Sequence, residues 1–189
     1  MLTTFKLLFL VLLLTSFAVP KPLTMTVQTH WNWNEQTSEK TISKALKKTI
    51  NGKGPHNYFA IGDMFFSKAY LNYLKTGAID TLSFNSAIEN CKKAYTKTDG
   101  MPANNKAEIF FKICLSYYYE GNYKNAETWC AKYKRSSNPL FASLLYAKCF
   151  IKLNDTASAD STITNYSQLN NLKYDSIKEL VLADIKNGH

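Results

Sequence analysis

The stretch SYYYEGNYKNAETWCAKY, Ser116 to Tyr133, gathers six aromatic residues around a Gly121-Asn122 break and sets a Trp129-Cys130 pair near its end. It reads as an aromatic surface for stacking on sugar rings, as buried core, or as one hairpin of a helical repeat. Upstream of the break, Phe110, Ile113, Cys114 and Tyr117 recur every three or four residues; downstream, Ala126 and Cys130 continue on one face of a second helix. Small residues such as Cys114 and Ala126 let two antiparallel helices approach closely, while tyrosines and phenylalanines fill the wider gaps between successive hairpins. The aromatic crowd is therefore expected to be mainly core.

Alanines in the middle of alternate helices extend the pattern along the chain: Ala126 follows Ala87 by 39 residues and Ala159 follows Ala126 by 33. That is close to a repeat of about 34 residues with a longer loop after the first unit. The middle unit, 106–138, carries Phe110, Ile113, Cys114, Tyr117, Ala126 and Cys130, with Pro139 closing it. It resembles the tetratricopeptide repeat. The third unit, 140–167, supplies Tyr146, Ala147, Phe150, an LND turn, Ala159 and Ile163, with Ser143 in place of the opening aromatic. The first, 57–97, has Phe84, Ala87, Cys91 and Ala94 in its second helix, and its first helix can be registered on either Gly62 or Ala69. Ahead of the repeats, Ile42, Ala45, Leu46 and Ile50 define an amphipathic helix over residues 35–50, stopped by NGKGP. Behind them, Ile177, Leu180, Val181 and Ile185 define a capping helix over 172–187. The expected fold is all-α: a helical-hairpin solenoid of about three tetratricopeptide-like repeats within a domain spanning 35–189.

Proteins similar in this way use a concave face, lined by the first helix of each hairpin, to hold an extended peptide or a partner's helix. The resemblance places Glu108, Phe111, Leu115, Tyr118 and Tyr119, then Phe141, Leu144, Lys148 and Lys152, on that face, and the Ala69 register adds Phe66, Tyr70 and Tyr73. The lysine and asparagine clamp that the family uses for acidic tails is largely missing, so the implied ligand is apolar or aromatic. The chain's own helix at 35–50 is an alternative occupant. In the same register Cys130 faces Cys149 of the next hairpin, and Cys91–Cys114 is the companion pair. Cys114 can instead point at Ala126, and four buried free thiols remain open as well.

The first 18 residues read as a signal peptide, with Lys6, an apolar run from Leu7 to Leu14, and Ser16 and Ala18 at cleavage spacing. Export to a secreted or periplasmic location is expected, followed by an extended arm at 19–34. The formal charge of +9 raises the question of nucleic acid, but Arg135 is the sole arginine and the lysines are spread through the chain. Bidentate reading of bases and phosphates rests on arginine, so no nucleic-acid partner is expected. Weak association with anionic envelope polymers fits such a surface.

Neither His30 nor His56 stands in metal-ligand spacing with the cysteines, and no nucleophile elbow or phosphate loop occurs. No enzyme, metal or cofactor is expected. The resulting expectation is an exported interaction scaffold that takes an unidentified protein or peptide. The alternative is a glycan- or envelope-binding protein using Trp31 and Trp33 of HWNWN together with surface aromatics, where the blander reading has the two indoles pin the arm to the stack.

Overall fold

A computed structural model describes residues 39–51, 54–97, 103–136 and 139–186. The segments expected to be a signal peptide (1–18) and an extended arm (19–34), with Trp31 and Trp33 in the latter, lie outside the described residues. Eight α-helices and no strand occur among those described: α1 (Glu39–Thr49), α2 (Pro55–Thr76), α3 (Thr81–Thr96), α4 (Ala103–Tyr119), α5 (Tyr123–Ser136), α6 (Pro139–Lys152), α7 (Thr156–Leu169) and α8 (Tyr174–Lys186).

Local chemistry punctuates the chain. Proline at the start of α2 costs no intrahelical bond, because the first N–H groups have no partner within the helix. Asp80 and Asp155 cap α3 and α7 with the same device, a carboxylate accepting the backbone N–H three residues on, Ser83 in one case and Ser158 in the other, each at 3.0 Å. At the end of α4, Gly121 takes φ 77° and the N–H of Asn122 reaches back to the Tyr117 carbonyl at 2.9 Å. α6 ends in the same way with Asn154 at φ 59° and the Asp155 N–H on Phe150, and α7 with Asn171 at φ 53° and the Leu172 N–H on Ser167. Glycine and asparagine are the residues that enter this left-handed region at least cost, so the breaks are written locally.

The helices stack as hairpins α2–α3, α4–α5 and α6–α7, with each second helix also packed on the first helix of the next hairpin. α1 lies against α2, and α8 closes the far end against α6 and α7. The molecule is an all-α solenoid of helical hairpins. One core cluster runs from α2 to α6, with Phe66, Phe84, Phe111 and Tyr118 among its members; a second joins α6, α7 and α8 through Leu144, Ala147, Ile163, Ile177 and Val181. Leu180 and Ile185 flank this second cluster, so the apolar face of α8 serves as the cap expected of it.

Close helix crossings place the cysteines. In α4–α5 the Cα atoms of Cys114 and Cys130 come within 5.5 Å and the two side chains form a disulfide. The pairings Cys130–Cys149 and Cys91–Cys114 are thereby corrected, and Cys91 and Cys149 are buried free thiols. The physical reason is that the tightest approach lies inside the hairpin, at the small-residue positions, rather than between hairpins. At the matching point of α2–α3, a Cβ on Gly62 would stand 2.6 Å from Cys91 Sγ and 3.1 Å from its backbone nitrogen. Gly62 thus holds in the first hairpin the place that Cys114 holds in the second. The Ala69 register gives way to Gly62, and Phe66, Tyr70 and Tyr73 fall further along α2 than that register implied.

Candidate partner-binding face

Most residues expected to line an open groove are packed inside instead. Phe66, Tyr70, Phe111, Leu115, Tyr118, Leu144 and Lys148 are all buried, Tyr73, Glu108 and Tyr119 are half-buried, and Lys152 is exposed. The register expected these helix faces to meet a ligand, but neighbouring rings fill the space. Phe66 stacks on Tyr70 at 5.6 Å between ring centres and meets Phe84 at 6.2 Å and Phe111 at 6.3 Å. Phe111 in turn meets Tyr133 of α5 at 5.5 Å. Nor does the chain's own helix fill a groove across the hairpins, since α1 lies against α2, with Ile42 as its buried anchor.

What remains accessible is an edge where α2 and α4 end. Tyr119 is its hub: its ring lies 4.7 Å from Tyr73, 5.7 Å from Tyr70 and 5.9 Å from Tyr118, and it stacks on Phe84 at 5.7 Å. Tyr123, the first residue of α5, joins through Tyr118 at 5.5 Å, and the Lys152 ammonium at the end of α6 stands 5.9 Å from the Tyr123 ring centre. Burial pushes the hydroxyls of Tyr73, Tyr118 and Tyr119 above the usual tyrosine value, and a side-chain hydrogen bond with Tyr70 adds to the effect at Tyr119. Tyr73, Tyr118 and Tyr119 are therefore neutral phenols, apolar in body with polar tips. Glu120 follows directly, and burial raises its carboxyl too.

Lys148 has been drawn away from this edge. Its ammonium pairs with the Asp184 carboxylate of α8, so the capping helix uses a residue that the resemblance assigned to ligand binding. Phe141 lies where the side chain is not described.

A second aromatic and basic cluster, on α3, α4 and α5, went unread in the sequence. Lys92 donates to the Tyr117 hydroxyl at 2.6 Å, and Lys132 sits 3.9 Å from the Trp129 ring centre and 5.5 Å from that of Tyr95. Tyr95, Phe110 and Trp129 meet one another at 5.2 to 6.0 Å. The available signal was the recurrence of lysine three residues after Trp129 on one helix face. Lys132 covers a face of the indole that a sugar ring would otherwise stack on.

The sulfurs of Cys114, Cys130 and Cys149 also converge, within 4.8 Å of one another, although their spacing in the chain matches no metal motif. Two of them are joined in the disulfide.

Comparison with protein-family models finds no match, and comparisons with curated proteins and with solved structures find none either.

Proposed function

We propose that the chain is an exported, non-catalytic interaction scaffold of the tetratricopeptide type that holds an apolar or aromatic peptide, or a partner's helix, along the tyrosine edge. The observation that supports this reading is the half-buried set Tyr73, Tyr119 and Tyr123, each ring already held by neighbours. Aromatic side chains fixed in this way contribute contact area with little further loss of rotamer freedom, which is why tyrosine is frequent at the centres of recognition surfaces. Lys152 adds a charge at the margin, where it steers a partner more than it holds one. Export rests on the apolar run Leu7–Leu14 and the Ser16 and Ala18 spacing.

A displayed random-peptide library panned on the purified protein tests the binding reading. Enrichment of peptides with aromatic or aliphatic anchors, lost in Tyr73→Ala with helical content and melting unchanged, is the expected result. Enrichment insensitive to Tyr73→Ala and to Lys152→Glu would move the site elsewhere, and retention by insoluble envelope polysaccharide instead would favour the glycan reading. Intact mass of protein recovered from the source cell tests export: a species lacking residues 1–18 is expected.

A further inference from the structure

Cys149 is a buried free thiol beside a disulfide. The sulfurs of Cys114, Cys130 and Cys149 lie within 4.8 Å of one another, all three residues are fully buried, and the bridge joins the first two. Disulfides change partners when a thiolate attacks one sulfur and the other departs, and the reaction needs reach rather than an external reagent. We propose that Cys149 is an internal exchange partner for this bridge, so that the chain holds either of two isomeric staples: Cys114–Cys130 within the α4–α5 hairpin, or Cys130–Cys149 between α5 and α6.

The step balances without oxidant or reductant. Cys149 gives up its proton and its sulfur bonds to the sulfur of Cys130. The Cys114–Cys130 bond breaks, and its electron pair leaves on the Cys114 sulfur, which takes up a proton. One S–S bond is lost and one is gained.

Three features of the fold support the exchange at Cys130. First, α5 packs directly on α6, so a bridge between them asks for side-chain adjustment rather than a new helix contact. Second, the two staples close loops of similar length, 16 residues apart in sequence for Cys114 and Cys130 and only slightly more for Cys130 and Cys149, so chain entropy favours neither. Third, the α2–α3 hairpin closes at the equivalent crossing with Gly62 beside the free thiol Cys91, which shows that a hairpin of this stack does not require the bridge. Burial keeps the Cys149 thiol protonated, its pKa pushed up to about 12, with Glu127 adding to the effect and Lys148 opposing it. Exchange is accordingly slow while α6 stays docked, and faster when it loosens. The same burial disfavours a cation held by three thiolates, because several negative charges would enter a pocket whose nearby Lys148 is already paired with Asp184.

A time course on the full chain tests the proposal. Protein is incubated at mildly alkaline pH without added thiol, quenched in acid, unfolded, alkylated with a maleimide and mapped with trypsin, which separates all four cysteines because a lysine stands between each successive pair. The expected result is a Cys130–Cys149 peptide that grows to a plateau at the expense of Cys114–Cys130, with Cys91 alkylated throughout. Cys149→Ser keeps Cys114–Cys130 alone, and Cys114→Ser, oxidised with a glutathione pair, forms Cys130–Cys149. Should Cys114→Ser fail to fold, the wild-type time course decides alone. A wild-type map that shows only Cys114–Cys130 at every time overturns the proposal, and so does a Cys114–Cys149 product or any bridge to Cys91, the last because it reports exchange through the unfolded chain.

Discussion

Two buried lysines tie the first helices of this stack to helices two places away, and they do so in different surroundings. Between α2 and α4, Lys112 lies 3.2 Å from the Asp63 carboxylate and 3.4 Å from Glu108 on its own helix, and 5.2 Å from the Phe59 ring centre. Between α6 and α8, Lys148 meets the single carboxylate of Asp184. Burial works to lower both ammonium groups, but at Lys112 the two carboxylates outweigh it and hold the group above the ordinary lysine value, whereas at Lys148 burial prevails and leaves it below. One junction is built around a retained charge inside an aromatic core, and the other carries a charge only partly compensated beside a mainly aliphatic core. By this comparison α8 is held less firmly by its ion pair than α2 and α4 are by theirs.

The largest effects are expected from cutting each pair. Removing one partner of a buried ion pair costs about 3 to 5 kcal/mol, because the other charge is left uncompensated. Asp63→Ala is expected to cost that much global stability, read from the denaturant midpoint and slope, with Glu108 keeping it toward the lower end. Asp184→Ala is expected to free α8 locally, read as new proteolytic cleavage within 174–186 while the rest resists. Equal global destabilisation in both variants would break the contrast.

The core contrast is tested next. Phe66→Ala is expected to cost about 3 to 5 kcal/mol and Ile163→Val about 0.5 to 1.5 kcal/mol, the ranges for opening a large and a small cavity. Equilibrium unfolding in urea measures both. Similar losses would mean that the aromatic half relaxes around its cavity.

Alkaline titration separates the lysines by sign. Lys112 has its folded value raised, so its stabilisation is complete below the ordinary lysine pKa and is lost as pH rises through the folded value; Lys148 has its folded value lowered, so the unfolded chain binds more protons in the window between the two and stability rises with pH there. Compared with wild type from pH 8 to 11, Lys112→Met should therefore flatten the fall in midpoint and Lys148→Met should steepen it. Buried tyrosines contribute the same background to all three proteins, so opposite changes in slope are the informative readout.

A comparably small effect is expected at a helix end, where Asp80→Ala removes one capping bond and should cost about 1 kcal/mol. Asp80 also sits 3.8 Å from Lys68, and its carboxyl is held below the usual range despite burial by the Ser83 hydrogen bonds and by that lysine. The stability it contributes should be lost as pH falls through that lowered value. Thermal melts of Asp80→Ala and wild type at neutral and acid pH should converge in acid.

The boundaries of the hairpins were legible because they are local. The Gly121-Asn122, Asn154-Asp155 and Thr76 to Asp80 breaks carry their own backbone and capping chemistry, and the apolar faces of α1 and α8 follow from residues three and four apart. The face expected to bind a partner was read from register alone, and register does not say how deep a position lies. Phe66, Tyr118 and Lys148 stand on the assigned helices, yet neighbouring rings and α8 cover them.

By itself, the sequence determined that this chain forms antiparallel helical hairpins, where the main breaks between helices fall, and that the aromatic crowd from Ser116 to Tyr133 packs mainly on the core. Each of these follows from interactions within a few residues or across a single turn. Tertiary structure alone decided that Cys114 meets Cys130, that Gly62 rather than Ala69 marks the crossing of α2 with α3, and that Lys112 and Lys148 take their carboxylates from helices two away. These contacts depend on the separation and rotation of packed helices, and differences of an ångström or two in the crossing decide which small or charged side chains face each other.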